Sequence, residues 1–216
     1  MVTTTIDSAA ALAATLRRER LLAIVRGDKP DAIRRAIEVL AGSGIPLIEV
    51  SLTSTDALAV IERASADLGE AAVIGAGTVR ARADADAARD AGAAFIVTPG
   101  AAPKAVRGPA LPAIVGAFTP SEINEAAALD PVAVKLFPAS LGGPEYLSAL
   151  RQPFPDVSFL PVGGIDATSA REYLARGALA VGVGSPLVGD AGSGGDLTAL
   201  AARARTLRAA VAEAEA

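Results

Sequence analysis

The chain has 216 residues, 51% of them hydrophobic, a formal net charge of −4, and neither cysteine, histidine nor tryptophan. Without cysteine there are no disulfides, thiol nucleophiles, zinc–thiolate sites or iron–sulfur clusters; without histidine there are no imidazole bases, Ser-His-Asp triads or His-ligated metals. A large core in one domain fits this length, disorder is excluded, only an all-oxygen magnesium site stays open, and the acidic balance points away from nucleic acid.

In the first 21 residues the positive charges follow the apolar stretch, where an export signal would place them before it, so no export signal is expected. The longest uncharged run, 108–121, is broken by Pro109, Pro112 and Pro120. It falls short of the ~18 uninterrupted apolar residues of a membrane helix. No membrane partner and a cytoplasmic location are expected.

A helix is predicted over residues 8–18. Eight short apolar runs follow, at 21–26, 46–52, 72–75, 94–98, 112–117, 132–137, 157–162 and 179–183, their starts about 18 to 26 residues apart. Helical stretches at 31–41, 55–66, 81–91, 103–107, 120–129, 143–150, 167–176 and 197–214 fill the gaps. Lys29-Pro30-Asp31 and Thr119-Pro120-Ser121-Glu122 are good helix starts, with proline near the first turn and an acid behind it. The run Gly192-Ser193-Gly194-Gly195 reads as the clearly flexible stretch.

Alternating units of this size imply a parallel sheet covered by helices, either a (β/α)8 TIM barrel or an open doubly wound sheet. Eight units in ~200 residues, with no G-x-G-x-x-G after the first run, favour a single barrel domain over 1–216 with an extra N-terminal helix.

In a barrel, chemistry collects at the carboxyl ends of the strands. Only three lysines (Lys29, Lys104, Lys135) stand against seventeen arginines, and Lys135 alone sits inside a strand, in Val-Ala-Val-Lys-Leu-Phe-Pro. By period two, Ala133, Lys135 and Phe137 face the barrel interior while Val134 and Leu136 face the helices. Burying an ammonium is costly unless it is paired or gives up its proton, and a neutral amine is what Schiff-base chemistry needs. Glu49 interrupts the second strand in the same way, sharing a face with Leu47 and Ser51. The pair reads equally as a buried salt bridge or as a Schiff-base former with its general acid and base. Arg26, ending the first strand, is a candidate carboxylate or phosphate clamp beside them. The glycine-rich turns Pro161-Val-Gly-Gly-Ile165 and Val181-Gly-Val-Gly-Ser-Pro186 follow the last two strands, where such barrels hold phosphate. Thr78 and Thr98 can either aim hydroxyls into the mouth or bond their own turns.

Together these segments resemble the class I 2-keto-3-deoxy-6-phosphogluconate (KDPG) and 4-hydroxy-2-oxoglutarate (KHG) aldolases from about Leu21 to Val188. The shared motifs run through Ala-Ile-Val-Arg26-Gly, Ile-Glu49-Val-Ser-Leu, Gly-Ala-Gly-Thr78-Val, Ile-Val-Thr-Pro99-Gly, Val-Lys135-Leu-Phe-Pro, Pro-Val-Gly163-Gly164-Ile and Gly-Val-Gly184-Ser185. The resemblance implies that Lys135 forms the Schiff base and Glu49 shuttles protons. It further implies that Thr78, Pro99 and Phe137 line the pyruvate pocket, and that Gly163, Gly164, Gly184 and Ser185 hold the phosphate. The implied substrate is a small phosphorylated keto acid, the implied assembly a homotrimer, and no metal or organic cofactor takes part. One position departs: gluconate enzymes carry Leu-Arg-Thr after the Glu strand, whereas this chain reads Leu52-Thr53-Ser54. Galactonate-type relatives have a small polar residue there and share the Gly143-Pro-Glu-Tyr146 style of motif, so either epimer fits. Arg26 is placed to take the carboxylate contact of the absent arginine. Two rivals remain at this stage, a phosphate-binding barrel isomerase or synthase without covalent catalysis and a non-catalytic assembly protein on an aldolase-like trimer.

Overall fold

The computed structural model describes residues 8–107 and 111–213. Residues 1–7, which enter the export-signal reading, residues 108–110 of the uncharged run and the last residue of the predicted 197–214 helix lie outside the described residues. Ser8 caps the first helix, α1 (Ala9–Glu19), by accepting the amide of Ala11. The units then alternate: β1 (Leu21–Val25), α2 (Pro30–Gly42), β2 (Leu47–Ser51), α3 (Ala57–Leu68), β3 (Val73–Gly77), α4 (Arg82–Asp90), β4 (Ile96–Val97) and α5 (Pro103–Val106). The second half continues with β5 (Ala113–Ala117), α6 (Pro120–Ala127), β6 (Ala133–Leu136), α7 (Gly143–Arg151), β7 (Phe159–Pro161), α8 (Ala167–Ala175), β8 (Val181–Val183), α9 (Ser185–Val188) and α10 (Leu197–Glu213).

All ladder pairs are parallel, in the order β7-β6-β5-β4-β3-β2-β1-β8. Closure comes from a parallel bridge between Val162 and Gly182 and from the Leu179 amide donating to the Phe159 carbonyl at 2.8 Å. The molecule is therefore a (β/α)8 barrel with an N-terminal helix. No helix among the described residues is long and apolar enough to cross a membrane.

The strands are apolar on both faces because both are covered, and the faces sort by period two. Leu21, Ala23 and Val25 of β1, Ile48 and Val50 of β2, and Val134 and Leu136 of β6 pack outward against the helices. Leu22, Leu47, Phe95, Ile114, Ala133 and Leu160 fill the barrel, joined there by Leu12 and Leu16 of α1. Helix α1 thus plugs the amino-terminal end, each of its two buried leucines contributing about 1.5–3 kcal/mol of transfer free energy. With one end sealed, the carboxyl end holds the open polar mouth.

The predicted start of α6 is a capping box: the Glu122 carboxylate accepts the Thr119 amide at 2.8 Å while the Thr119 hydroxyl accepts the Glu122 amide. Two expectations need correcting. Between β8 and the last helix the chain makes the single helical turn α9, absent from the sequence reading. The Gly192–Gly195 run is a packed turn rather than a flexible stretch. Gly192 is buried and lies so close to Gly27 and the Arg26 carbonyl that a Cβ on either glycine would collide with the other strand of backbone. The Gly192 carbonyl accepts the Lys29 amide, and Asp190 accepts the amides of Ser193 and Gly195.

Candidate active site

A pocket of about 730 Å³ opens at the carboxyl ends of the strands. Of the residues nominated by the sequence, it brings together all but Thr98: Lys135, Glu49, Arg26, Thr78, Pro99, Phe137, Gly163, Gly164, Gly184 and Ser185 all line it. Ile24, Thr53, Val162, Pro186, Val188 and Gly189 complete the wall. Their aliphatic and proline side chains carry no chemical signal in a sequence, and only the fold brings them to the mouth. Thr53 was visible only as a departure from a motif. Thr98 is not in the wall. It is fully buried, donates its hydroxyl to the Gly100 carbonyl at 2.7 Å and accepts the Gly116 amide at 3.2 Å, so it serves the turn.

The pocket grades from a buried floor to an open rim. Glu49 is 1% exposed and Lys135 6%, whereas Arg26, Thr53, Gly164 and Ser185 are exposed. At the floor Glu49 and Lys135 do not form the salt bridge that sequence left open; neither makes an ion pair among the described residues. The Lys135 Nζ lies 5.3 Å from the Phe137 ring centroid, a cation–π distance. Burial holds the Glu49 carboxyl above its usual value near 4.5, partly offset by the charges of Lys135 and then Arg26. Its Oε2 is buried and has no hydrogen-bond partner among the described residues. A carboxyl of this kind is poised to hold or release a proton, since its ionised form lacks a full set of donors.

Space for Glu49 comes from its neighbour strand. Gly77 pairs with Ser51, and a Cβ built on it would meet the Glu49 Oε1 and carboxyl carbon at clashing distance. Gly77→Ala is therefore expected to displace Glu49, lowering stability by about 1–3 kcal/mol and weakening catalysis together. Thermal denaturation and an activity assay check it; a variant with wild-type Tm and rate would show that the floor tolerates the methyl.

At the rim, Arg26 Nε donates to the Ser51 hydroxyl at 3.3 Å, which lies 2.8 Å from the Thr53 hydroxyl. This chain of polar groups tethers the guanidinium at the mouth. On the other side Gly163 and Gly164 adopt φ of 105° and 74°, a conformation costly for other residues. Their loop is stitched to the one after β6, with the Ala139 amide donating to the Val162 carbonyl and the Ser140 amide to that of Gly163.

The family model described as KDPG and KHG aldolase matches residues 12–201. The chain belongs to this family. It is an aldolase, a carbon–carbon lyase. Among similar relatives of the KDPG and KHG aldolase family, a probable 2-dehydro-3-deoxy-6-phosphogalactonate aldolase of Rhizobium meliloti is 35% identical over 181 residues, covering 82% of this chain and 85% of the relative. A 2-dehydro-3-deoxy-phosphogluconate aldolase of Pseudomonas aeruginosa is 37% identical over 166 residues, covering 74% and 75%. A solved KDPG aldolase of Legionella pneumophila, with pyruvate captured as a covalent carbinolamine, is 26% identical with a TM-score of 0.78, covering 93% of this chain and 96% of that one.

Proposed function

We propose that this aldolase cleaves 2-keto-3-deoxy-6-phosphogluconate to pyruvate and glyceraldehyde 3-phosphate through a Schiff base on Lys135. The observation that carries the reading is the floor of the pocket: one amine and one carboxyl, both buried and neither committed to an ion pair among the described residues. The pyruvate carbinolamine named for the Legionella relative supports the same chemistry.

The Lys135 amine adds to the C2 carbonyl, and the carbinolamine loses water to give an iminium. Glu49 takes the C4 hydroxyl proton, the C3–C4 electron pair moves into the iminium, and the aldehyde leaves. The Glu49 proton then returns to C3 of the enamine, and water hydrolyses the new iminium to pyruvate and the free amine. Arg26 clamps the substrate carboxylate. Thr78, Pro99 and Phe137 enclose the pyruvyl half, while Gly163, Gly164, Gly184 and Ser185 receive the phosphate. The chemistry draws on no metal or organic cofactor. The reading includes a homotrimer working in the cytoplasm on a phosphorylated keto acid.

A second reading, the galactonate epimer as substrate, is favoured by one observation. Thr53 lines the mouth beside Ser51 and Arg26 at the position where gluconate enzymes carry arginine. Borohydride reduction with pyruvate, followed by intact mass and peptide mapping, is expected to yield a pyruvyl adduct on Lys135. Folded protein without an adduct would move the chemistry to a non-covalent one. The ratio of kcat/KM for the two phosphorylated epimers then selects between the readings.

A further inference from the structure

Helix α9 is a single turn that begins beside the proposed phosphate contacts and ends in the pocket wall. Ser185 opens it, preceded by Gly184, and Pro186, Val188 and Gly189 line the mouth. The turn is internally tied: the Gly184 carbonyl accepts the amides of Leu187 and Val188 at 2.9 Å, and that of Ser185 accepts the Gly189 amide at 2.8 Å. Such a unit moves as one body, about 6 Å from end to end at 1.5 Å per residue.

Leu187 and Val188 of the turn are buried in the core, and Arg203 adds a polar tie from outside. This half-buried residue of α10 donates through Nε to the Leu187 carbonyl at 2.6 Å and through Nη2 to the Val188 carbonyl at 3.0 Å. It makes no ion pair among the described residues, so its fork is spent on two backbone oxygens at the end of α9. Its own anchor is firm, because Leu200, Ala204 and Leu207 of α10 are buried in the core.

We infer that Arg203 is a positioning residue for the phosphate end of the pocket, acting through α9 on Gly184 and Ser185 without touching substrate. The inference rests on the proposed phosphate role of those two residues. It places the determinant of phosphate preference on the outer helix layer, while the Lys135 floor, held by β2 and β6, is independent of it. Loss of the two bonds lets α9 shift, and displacement of a binding group by about 1 Å can cost on the order of 10²-fold.

The test compares Arg203→Met with wild type on two substrates, a 2-keto-3-deoxy-6-phospho sugar acid and 4-hydroxy-2-oxoglutarate, which has no phosphate. The expected result is a fall of about tenfold or more in kcat/KM for the phosphorylated substrate, mostly in KM. Turnover of 4-hydroxy-2-oxoglutarate and the borohydride-trapped pyruvate adduct should stay within about twofold of wild type. Equal losses on both substrates, or no loss on either, would overturn the inference. Arg203→Lys keeps the charge and one donor, and serves if the methionine variant fails to fold. An intermediate loss confined to the phosphorylated substrate supports the role; a loss shared by both, or none, refutes it. If wild type itself shows no preference for the phosphorylated substrate, the phosphate reading has failed and the positioning role falls with it. If no pyruvate adduct forms in wild type, the Schiff-base reading fails on its own.

Discussion

Lys135→Arg is expected to lose aldol cleavage by on the order of 10⁴-fold or more, and to lose the trapped pyruvate adduct with it. The substitution isolates the lone pair from the charge. A guanidinium stays protonated throughout the working pH range and has no nucleophilic amine to offer the C2 carbonyl. It still supplies the positive charge that, with Arg26, opposes the effect of burial on Glu49. Lys135→Met completes the comparison. It removes both lone pair and charge, so Glu49 keeps only Arg26 against burial and its carboxyl rises further above the usual value. Both variants should be inactive, but only the methionine one should shift the titration of Glu49. Steady-state rates with the phosphorylated sugar acid, alongside a Tm for each variant, check this. An arginine variant retaining a tenth of wild-type turnover would refute the covalent role.

Much of this site is legible in the sequence because period-two parity is strict in a strand. One polar residue in an apolar run tells which face it occupies, and Ala133 and Leu47 inside the barrel are the parity partners of Lys135 and Glu49. Strand ends were less legible. Residues 94–98 and 157–162 are apolar but for Thr98 and Ser158, yet the ladders there contain only Ile96–Val97 and Phe159–Pro161. Burial continues past the last ladder bond, and hydropathy reports burial rather than pairing. The third strand errs the other way. The predicted run stops at Gly75, whereas β3 continues to Gly77, because a bare backbone is what fits against Glu49. Glycine weakens a strand by propensity, and here tertiary context overrides that.

The same blindness explains the turn at Gly192–Gly195. A glycine run signals either freedom or close approach, and only the crossing of Gly27 and Gly192 decides between them. Arg203 could not be singled out from composition, since one arginine among seventeen is distinguished only by the two carbonyls it meets. Chemistry was legible where a residue type was rare or misplaced. Support was not, because it is supplied by common residues whose meaning is set by three-dimensional neighbours.

Glu49→Gln keeps the shape of the side chain and removes its ability to carry a proton, so kcat should fall by about 10²–10⁴-fold. The pyruvate adduct should still accumulate, since Lys135 remains. The same variant makes a prediction about stability whose sign follows from burial. In the folded chain Glu49 titrates above its ordinary value near 4.5, with desolvation the leading cause and Lys135 and Arg26 opposing it. Between the unfolded and folded values the native state therefore binds the proton more tightly than the unfolded chain does. Its contribution to stability is present at low pH and is lost as pH rises from about 4.5 through the folded value. Glutamine has no such dependence. The difference in Tm, variant minus wild type, should accordingly move in favour of the variant as pH rises from 4 to 8, whatever its offset at the acid end. Thermal melts across that range, together with the rate at each pH, test both halves. A difference that stays flat or moves the other way would mean that burial does not raise the titration of this carboxyl, and the rate loss would then need another cause than the missing proton carrier.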